Sequence, residues 1–561
     1  MEVRKFPDQK SILSIYDVSG IQEYIFATSR LSENAGASEI VGRVLKERLP
    51  KVLEAVAKAM GGRTAANWRN AEDFQIPQDA DLLAEIVYIG GGSAIVAYRN
   101  LDFYDKVNEA FAKDLLETSY TLSLATAYVD TDFFHYKKDR ERLEEDLEAV
   151  KARMLRQRPM GALPIVAQEA LTSLPVTQRY GSPDQAPCQN LSTLQALKRQ
   201  AYEAIRHNAE SLYGGSLPPD VSLAVEMEDL ISQKGVDGFV AVVHIDGNGM
   251  GELVRNASRE SMGYQDSVRQ MRKLSQSIEA VYHETFDGVV KLVEQWVKKT
   301  KKEASPFFSP TLRGGTWTLP IRPIILDGDD VTFICNGRLG VPLAALFLRC
   351  LAKKANKEVP LSACAGVALV NSHFPFNMAY EIAEACCQNA KKKRLEEKAG
   401  GDGEDCGYFD FHIMRGAYMR EIENLREGAV GDGGKMSRLM MRPYRVAVSP
   451  DRGHSRSFDS LDNILSKLPA ADENPKEETW PRSRLKKLYE AYLMGREQVE
   501  ITWEKFASRG YTLSSLTGQP SVEGVNAQDE AFLYDALELM DIYERNIFSS
   551  LCDSKTEEGT K

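Results

Sequence analysis

The sequence predicts an α+β fold in which one element order, β-α-β-β-α-β-α, occurs twice along the chain. Each half opens with an apolar strand that ends in an aspartate, Asp17 in the first half and Asp246 in the second, followed by glycine and a helical pattern. Each half also contains two apolar runs joined by a tight turn, at 90–93 and at 327–330, which is typical of a β-hairpin. A repeated order of this kind indicates one structural unit used twice.

In the first half, periodicity and turn residues predict each element in order. The expected elements are a strand at 11–17, a helix from Ile21, a helix at about 37–60, strands on either side of the 90–93 turn, a helix at about 104–118, a strand at 122–129 and a charged helix at about 136–157.

The second half repeats the pattern after an intervening stretch. We expect a loop at 181–190, a helix at 191–213, a strand at 240–246, helices at about 250–258 and 266–300, strands at 321–326 and 331–335, a helix at about 341–355, a strand at 361–369 and a helix at about 377–397. Beyond about 435 the pattern predicts helices at 458–467, 483–508 and 527–550.

Length and composition are typical of a multidomain globular protein. The chain has 561 residues, of which 43% are hydrophobic and 27% charged, and roughly 150 residues per domain gives about three or four domains. The net charge of −11 is opposite in sign to that of proteins that wrap nucleic acid over their whole surface. A polyanion would therefore need a local site or neutralising metal ions.

Targeting and cysteine patterns predict a cytoplasmic protein that makes no membrane contact. No signal-peptide core is visible, and no run of about 18 apolar residues is present. The eight cysteines form no CxxC pair, which is typical of a reducing compartment and excludes a four-cysteine zinc ribbon.

The strongest chemical signal is acidic. Asp246 ends a strand, and Asp329 and Asp330 stand on a hairpin turn that we expect beside it. Three such carboxylates repel one another unless cations lie between them. Mg²⁺ prefers one or two carboxylates together with substrate phosphates, and two ions can stabilise both oxygens of a phosphoryl transfer. The alternative is an acidic turn with Asp246 as a helix cap, because Asp and Gly are common in turns.

Glycines next to these aspartates favour the nucleotide interpretation. Gly247 and Gly249 would allow backbone N–H groups at the start of the following helix to approach a triphosphate. The acidic and glycine motifs occur together in the order that such a site requires. Taken together, they indicate a site for a metal and a nucleotide.

The run 243–253, followed by Asp-Gly-Asp-Asp at 327–330, resembles the catalytic palm of the large subunit of type III CRISPR effector complexes. That family is related to the GGDEF diguanylate cyclases and the class III nucleotide cyclases. The resemblance extends to 361–368, to Pro375-Phe376 and to 383–391, and the first half, at 17–26 and 90–93, is similar to the family's inactive palm.

The resemblance implies two ferredoxin-like palm (cyclase) domains in tandem, with a helical intervening segment and an α-helical C-terminal domain. The implied boundaries are 1–158 for the first palm, 159–235 for the intervening segment, 236–434 for the second palm and 435–561 for the C-terminal domain.

The resemblance also implies an activity, the conversion of ATP into cyclic oligoadenylates with Mg²⁺ or Mn²⁺ in antiviral signalling. Asp246, Asp329 and Asp330 would be the catalytic metal ligands, and the backbone carbonyl of Ile245 would add a further ligand. The implied nucleotide-binding residues are Gly247, Asn248, Gly249, Gly328 and Lys391 in the second palm and Ser19, Gly20, Gly91 and Gly92 in the first.

Several interpretations stay open at this point. In the first palm, Asp17 alone cannot hold two metal ions, so this half either binds a second nucleotide or serves only as structure. Lys391 either contacts phosphate or complements a helix C-terminus. The basic residues at 298–302 either guide a polyanion or form a solvated helix end.

Departures from the family favour an alternative function. Asp327 stands where the family usually has the first glycine of the turn, and neither the family's zinc ribbon nor its HD nuclease motif is visible. The alternative is a non-catalytic palm scaffold, a subunit of a CRISPR-like ribonucleoprotein or defence complex that binds nucleotide or RNA.

Overall fold

The structure is a computed structural model of the chain. It describes residues 10–28, 30–70, 73–155, 161, 163–180, 189–205, 217–218, 220–224, 226–231, 238–303, 311–313, 315–355, 360–399, 406–415, 426, 439–451, 454–469, 480–512, 516, 531 and 533–545.

The chain folds into two compact units, and each unit is assembled from separated stretches of sequence. The first consists of Met1–Ser216, Gly249–His283 and Ile324–Val331. The second consists of Leu217–Asn248, Glu284–Pro323 and Thr332–Lys561. The acidic turn at 327–330 therefore belongs to the first unit, although it follows the second unit's strands in sequence.

The first unit is built on a five-stranded sheet with the order β2-β3-β4-β1-β5. Its strands are β1 (Ser11–Ser19), β2 (Arg63–Ala65), β3 (Leu82–Gly90), β4 (Ser93–Tyr98) and β5 (Ser123–Thr131). The central strand β1 pairs antiparallel with both β4 and β5, and this register places Asp17 opposite Ser93. The glycine turn between β3 and β4 therefore lies beside the end of β1.

The helices of this unit bury apolar positions that recur at helical spacing. They are α1 (Ile21–Ile25), α2 (Leu31–Arg43), α3 (Leu49–Ala59), α4 (Leu101–Ser119), α5 (Tyr136–Arg153) and α6 (Thr193–Ile205), with β6 (Gln178–Tyr180) and β7 (Gln189–Leu191) forming a small separate sheet. α3, α4 and α5 pack against the five-stranded sheet, and α2 packs against α6. The helix expected at 37–60 begins earlier, at Leu31, and a π-helical stretch, Val44–Arg48, separates its two α-helical parts.

Two later elements contribute to the first unit, namely α7 (Met250–Ala257) and the beginning of α8 (Tyr264–Glu303). Arg272 of α8 is buried and forms an ion pair with Glu85 of β3 at 2.9 Å. It also donates to the carbonyl oxygen of Val87 at 2.9 Å. A buried charge of this kind must be paired to be tolerated, so this contact fixes the start of α8 against β3.

The second unit is built on a six-stranded sheet with the order β12-β13-β9-β14-β15-β16. Its strands are β9 (Phe239–Gly247), β12 (Ile321–Asp327), β13 (Asp330–Asn336), β14 (Ala363–Asn371), β15 (Gly407–Ile413) and β16 (Tyr444–Val446). Of β12 and β13, the residues Ile324–Val331 around the turn fall in the first unit. A three-stranded sheet is formed by β8 (Val221–Leu223), β10 (Thr311–Arg313) and β11 (Thr316–Leu319). β9 is buried along most of its length, as its continuous apolar sequence predicts.

The helices of the second unit are α9 (Gly340–Lys354), α10 (Phe376–Ala399), α11 (Phe458–Lys467), α12 (Arg482–Met494), α13 (Arg496–Ala507) and α14 (Tyr534–Leu539). α10 packs on β14 through Gly366. A Cβ atom at this position would lie 1.8 Å from the carbonyl oxygen of Ala383. Only glycine therefore permits this approach of helix to strand.

The predicted α+β class is confirmed, and the elements around both hairpins lie within a few residues of their expected places. The helix expected at 483–508 is interrupted at Gly495, which has a φ of +104°. β15 and β16 were not predicted from the sequence. Residues 181–188 and 206–213 of the expected loop and helix lie outside the described residues, as does much of 527–550.

In the part of the chain that the structure describes, no helix is both long and apolar enough to cross a lipid bilayer.

Candidate nucleotide and metal site

A cavity of about 760 Å³ lies in the first unit, where the end of β1 meets α2 and both hairpin turns. Predicted site residues from three separate parts of the sequence line it together, namely Ser19, Gly20, Gly91, Gly92, Asp329 and Asp330. Asp17 and Asp327 lie in the same wall. The cavity falls in the size range of small-molecule sites.

Backbone conformation gives the glycine turn of this cavity its shape. Gly91 and Gly92 have φ values of +59° and +72°, which side-chain-bearing residues rarely adopt. The N–H of Val18 donates to the carbonyl oxygen of Gly92 at 3.1 Å, and the Ser19 hydroxyl donates to the Asp17 carboxylate at 3.1 Å. The first bond holds the glycine turn against the end of β1, and the second fixes the Asp17 carboxylate within β1.

The acidic turn packs directly on the glycine turn. Gly328 has a φ of +60°, and a Cβ atom on it would lie 3.1 Å from the backbone nitrogen of Gly91 and 3.2 Å from its Cα atom. The two turns therefore meet backbone to backbone. Glycine is required at position 328 both for its conformation and for this approach.

A lysine pairs with the first carboxylate of the acidic turn. The Nζ atom of Lys46, in the π-helical stretch, lies 2.9 Å from Asp327 and 3.2 Å from Glu279. Burial would lower the pKa of Lys46, but the two carboxylates, Asp327 first, outweigh burial, and the pKa is raised. Lys46 is therefore held in its charged form.

A second lysine pairs with the aspartate at the end of β1. Lys151 of α5 lies 2.8 Å from Asp17. Both lysines line the same cavity as the acidic turn. The cavity wall therefore contains both acidic and basic side chains.

A smaller cavity, of about 240 Å³, also lies in the first unit and shares Lys46, Gly91, Asp327 and Asp329 with the larger one. Its remaining wall combines apolar and polar side chains. The polar ones are Ser93, Arg140, Ser275 and Glu279, and the apolar ones are Tyr88, Ile89, Met250, Val254, Met271, Leu274 and Ile278. A pocket of this mixed lining has the character of a site for a small, partly apolar group.

The other predicted residues lie in the second unit, at the end of β9. Lys391 of α10 forms an ion pair with Asp246 and donates to the carbonyl oxygen of Gly247 at 3.2 Å. Burial would lower the pKa of Lys391, but its hydrogen bond to Asp246 and the charge of that carboxylate raise the pKa overall. Asp246 and Lys391 are thus direct partners.

The residues next to Asp246 are held by β14. Ile245 is fully buried and pairs with Ala365 across the strands. The backbone N–H of Asn248 donates to the carbonyl oxygen of Ser362 at 2.8 Å, and its side-chain amide donates to the Ser362 hydroxyl at 3.1 Å. Gly249, with a φ of +67°, begins α7 in the first unit.

The chemistry of the predicted ligands suits a hard divalent cation. Among the described residues, no group of three or more His, Cys, Asp or Glu side chains is arranged to hold a metal ion. Mg²⁺ is usually bound by one or two carboxylates, with the remaining positions filled by water and substrate phosphates. Asp329 and Asp330, which both line the cavity of the first unit, are carboxylates of the type that this donor set uses, whereas Asp246 belongs to the second unit.

Sequence reasoning missed two residues of the larger cavity, Lys46 and Lys151. Lys46 faces the cavity because the helix carrying it contains a π-helical stretch, which no periodicity in the sequence indicates. Lys151 lies in a highly charged helix, α5, where it resembles its solvated neighbours in sequence.

Comparison with known proteins gives a match to one family model over part of the chain and a similar fold over most of it. Residues 239–399 match the family model described as "Cas10/Cmr2, second palm domain". No curated protein matches the sequence.

Solved structures resemble the chain over most of its length. A Csm1-Csm4 cassette in complex with cA4 aligns with a TM-score of 0.51 and 13% identity, covering 95% of this chain and 69% of that chain. The cassettes with pppApApA and with AMPPNP each align with a TM-score of 0.50, at 16% and 13% identity, with coverage of 95% and 69% in both. At these identities the likeness concerns the fold.

Proposed function

Because residues 239–399 form a Cas10-like second palm domain, we propose that this protein is a metal-dependent nucleotidyltransferase that makes cyclic oligoadenylates from ATP in antiviral signalling. The family match carries the proposal, since it spans Asp246, Asp329, Asp330 and Lys391 in a single domain model.

The proposal includes a tandem arrangement of two palms. The strand order β3-β4-β1-β5 in the first sheet parallels β12-β13-β9-β14 in the second. In each case the strand between the hairpin and the last strand of this set carries an aspartate near its end, and the hairpin beside it carries glycine or aspartate at its turn. These parallels support domains at 1–158 and 236–434, separated by the segment 159–235 and followed by a helical domain at 435–561.

Asp246, Asp329 and Asp330 are the proposed catalytic residues, with the carbonyl group of Ile245 as a further metal ligand. β9 and β13 are neighbours in the sheet order, and the Nδ1 atom of His244 lies 3.1 Å from the hydroxyl oxygen of Thr332. That contact is two residues from Asp246 on one strand and two from Asp330 on the other. It supports a shared role for the two carboxylates.

The proposed reaction joins two nucleotides. The 3′-oxygen of one ATP attacks the α-phosphorus of the next, the bond to the β-phosphate breaks, pyrophosphate leaves, and the 3′-hydroxyl proton passes to water. Bound Mg²⁺ or Mn²⁺ would neutralise the charge that gathers on the phosphates. The protein would contribute position, with the Gly91 and Gly328 turns of the first unit orienting the phosphates.

Nucleotide binding is assigned to both palms. Gly247, Asn248, Gly249, Gly328 and Lys391 would bind the nucleotide that belongs to the acidic site, and Ser19, Gly20, Gly91 and Gly92 the second nucleotide. The cavity of about 760 Å³ beside the first palm supports the second assignment, because it offers glycine backbone and lysine side chains together. The first palm is then more than a structural half.

The solved structures extend the proposal to ligands and partners. Those proteins are Csm1-Csm4 cassettes described in complex with cA4, AMPPNP and pppApApA. By analogy, this chain would use ATP, form linear and cyclic oligoadenylates, and assemble with other subunits and RNA in a type III effector complex.

One observation favours a second candidate, a scaffold that binds nucleotide without turnover. Asp246 and Asp327 already have lysine partners, Lys391 and Lys46. A carboxylate that stays bound to an ammonium group is unavailable to a metal ion. In the scaffold these pairs would persist when nucleotide binds.

The proposal is tested by incubating the protein with labelled ATP and Mn²⁺ or Mg²⁺, with and without RNA, and resolving the products. Wild type should form oligoadenylates and pyrophosphate, and Asp329→Ala/Asp330→Ala should lower product formation by about 100-fold or more. Asp146→Ala, in an exposed part of α5, is the matched control and should behave as wild type.

The two candidates give different results in that assay. Binding of ATP without any product, under all conditions, would identify the scaffold. Equal product from wild type and the double variant would show that the acidic turn is not the catalytic site.

A further inference from the structure

The acidic turn has one carboxylate more than the proposed chemistry requires. Asp327, Asp329 and Asp330 all line the cavity of about 760 Å³, and Asp17 lies in the same wall. The proposed catalytic set uses Asp329 and Asp330 but not Asp327. An uncompensated carboxylate beside a polyphosphate would repel it.

Lys46 is placed to compensate that carboxylate. It borders both cavities, and its Nζ atom lies 2.9 Å from an Asp327 oxygen. The side chains of Lys46 and Asp327 are 30% and 27% exposed, so water screens the pair less than it would a surface pair. The pair also joins the π-helical stretch to the first residue of the acidic turn.

A second ion pair restricts the position of Lys46. Glu279 of α8 lies 3.2 Å from Lys46 and 2.7 Å from Arg69. The four side chains therefore alternate in charge, in the order Arg69, Glu279, Lys46, Asp327. Arg69 balances Glu279, so the charge of Lys46 is left to balance Asp327.

We infer that Lys46 is the positioning residue of the acidic turn, and that it keeps Asp327 paired and away from the nucleotide phosphates while Asp329 and Asp330 act. The inference rests on the proposed function. It distinguishes the carboxylates of the turn, because one serves as a fixed contact to the first palm and two serve the reaction.

The rival role for Lys46 is direct contact with phosphate. In that case its value would lie in its own charge and not in the neutralisation of Asp327. A double-variant cycle separates the two roles, because removing Asp327 removes the need for Lys46 only if Lys46 acts through Asp327.

The experiment compares wild type with Lys46→Met, Asp327→Asn, Lys46→Met/Asp327→Asn and Lys46→Arg. The readouts are the Kd for ATP with Mn²⁺ and the rate of oligoadenylate formation, together with the melting temperature of each variant. Lys106→Met is the matched control, since Lys106 is an exposed lysine of the same unit that also pairs with an aspartate, Asp102.

We expect Lys46→Met to weaken ATP binding about tenfold, because the Asp327 carboxylate would then be unpaired near the phosphates. Asp327→Asn should remain within about twofold of wild type, and the double variant should return to the level of Asp327→Asn. Lys46→Arg should retain wild-type binding. Lys106→Met should change neither the Kd for ATP nor the rate of oligoadenylate formation.

Three results would overturn the inference. A double variant as weak as Lys46→Met would show that Lys46 acts on the nucleotide itself. A Lys46→Met variant that binds and turns over ATP as wild type does would show that the pair has no role in the site. If Lys46→Met melts at a lower temperature than wild type while its ATP binding and turnover are unchanged, the pair serves stability alone.

Failure of the proposed function looks different. If wild type neither binds ATP nor forms product, the proposed function fails and the inference fails with it. If wild type is active and only the variant pattern disagrees, the inference alone fails.

Discussion

A Cβ atom on Gly328 would lie 3.1 Å from the backbone nitrogen of Gly91, so the acidic turn and the glycine turn touch through their backbones. No side chain mediates this contact. The position of the acidic turn in the first unit therefore depends directly on the conformation of the glycine turn.

Gly328→Ala should lower both stability and activity. The φ of +60° disfavours alanine, and the new methyl group would push the two turns apart. We expect a loss of about 1–3 kcal/mol in the free energy of unfolding and a larger fractional loss of oligoadenylate synthesis. Urea unfolding and the labelled-ATP assay measure the two effects.

Gly61→Ala is the control for backbone strain alone. Gly61 has a φ of +73°, and nothing lies within 4 Å of its Cβ position. It should lose about 1 kcal/mol of stability and keep its activity. If Gly328→Ala is as active as Gly61→Ala, the backbone contact does not position the acidic turn.

Gly366→Ala should be severely destabilising. The added methyl group would overlap the carbonyl oxygen of Ala383, so α10 would have to move away from β14. Overpacking of this kind costs about 1–3 kcal/mol or more. Gly288→Ala, in α8, has open space at the same position and should instead stabilise by about 0.5–1 kcal/mol. Equal melting temperatures for the two variants would contradict this interpretation.

Lys391→Gln should raise the KM for ATP. Its ammonium group pairs with Asp246 and is a proposed nucleotide contact, so its loss would remove one positive charge from beside the triphosphate. We expect a rise of about tenfold, equivalent to one pKa unit of interaction. Lys393→Gln, two residues along α10 and paired with Glu397 at 3.4 Å, is the control. A fall in kcat at unchanged KM would instead assign Lys391 to the orientation of Asp246.

Stability should fall in acid through His412. Burial lowers the pKa of His412 to about 3, and the charges of Arg442 and Arg426 act in the same direction. Between about pH 6.5 and pH 3 the unfolded chain therefore binds a proton at this residue that the folded chain does not. The free energy of unfolding should decrease as pH falls through that window.

His412→Gln removes the titrating group and should give a shallower decrease over the same window, whatever its stability at pH 7. Urea unfolding at a series of pH values measures the slope. Parallel curves for variant and wild type would show that His412 does not titrate differently in the two states.

Much of the fold could be predicted because its signals are local. The apolar run of β9, the glycines of the first hairpin and the helical periodicity of α10 each specify an element through neighbouring residues. β15 was missed because the strand Gly407–Ile413 pairs parallel with β14, and its partner is distant in sequence. Pairing of that kind leaves no local turn signal.

The candidate site likewise depends on contacts between residues that are distant in the sequence. Asp329 and Asp330 could be singled out from their neighbours, but their place in a cavity with Ser19 and Gly92 depends on how separated stretches fold together. The lysine partners of Asp17 and Asp327 were likewise not predictable from the sequence. Lys46 and Asp327 are far apart in the chain, and nothing near either residue indicates the other.

The π-helical stretch Val44–Arg48 carries a consequence for insertions and deletions. Each residue turns an α-helix by about 100°, so removing one residue from this stretch would rotate α3 against α2 by roughly that angle. Leu49 and Leu53, both fully buried, would then face away from the core. The identity of most residues here matters less than their number, and relatives should vary in sequence at these positions while keeping the length constant.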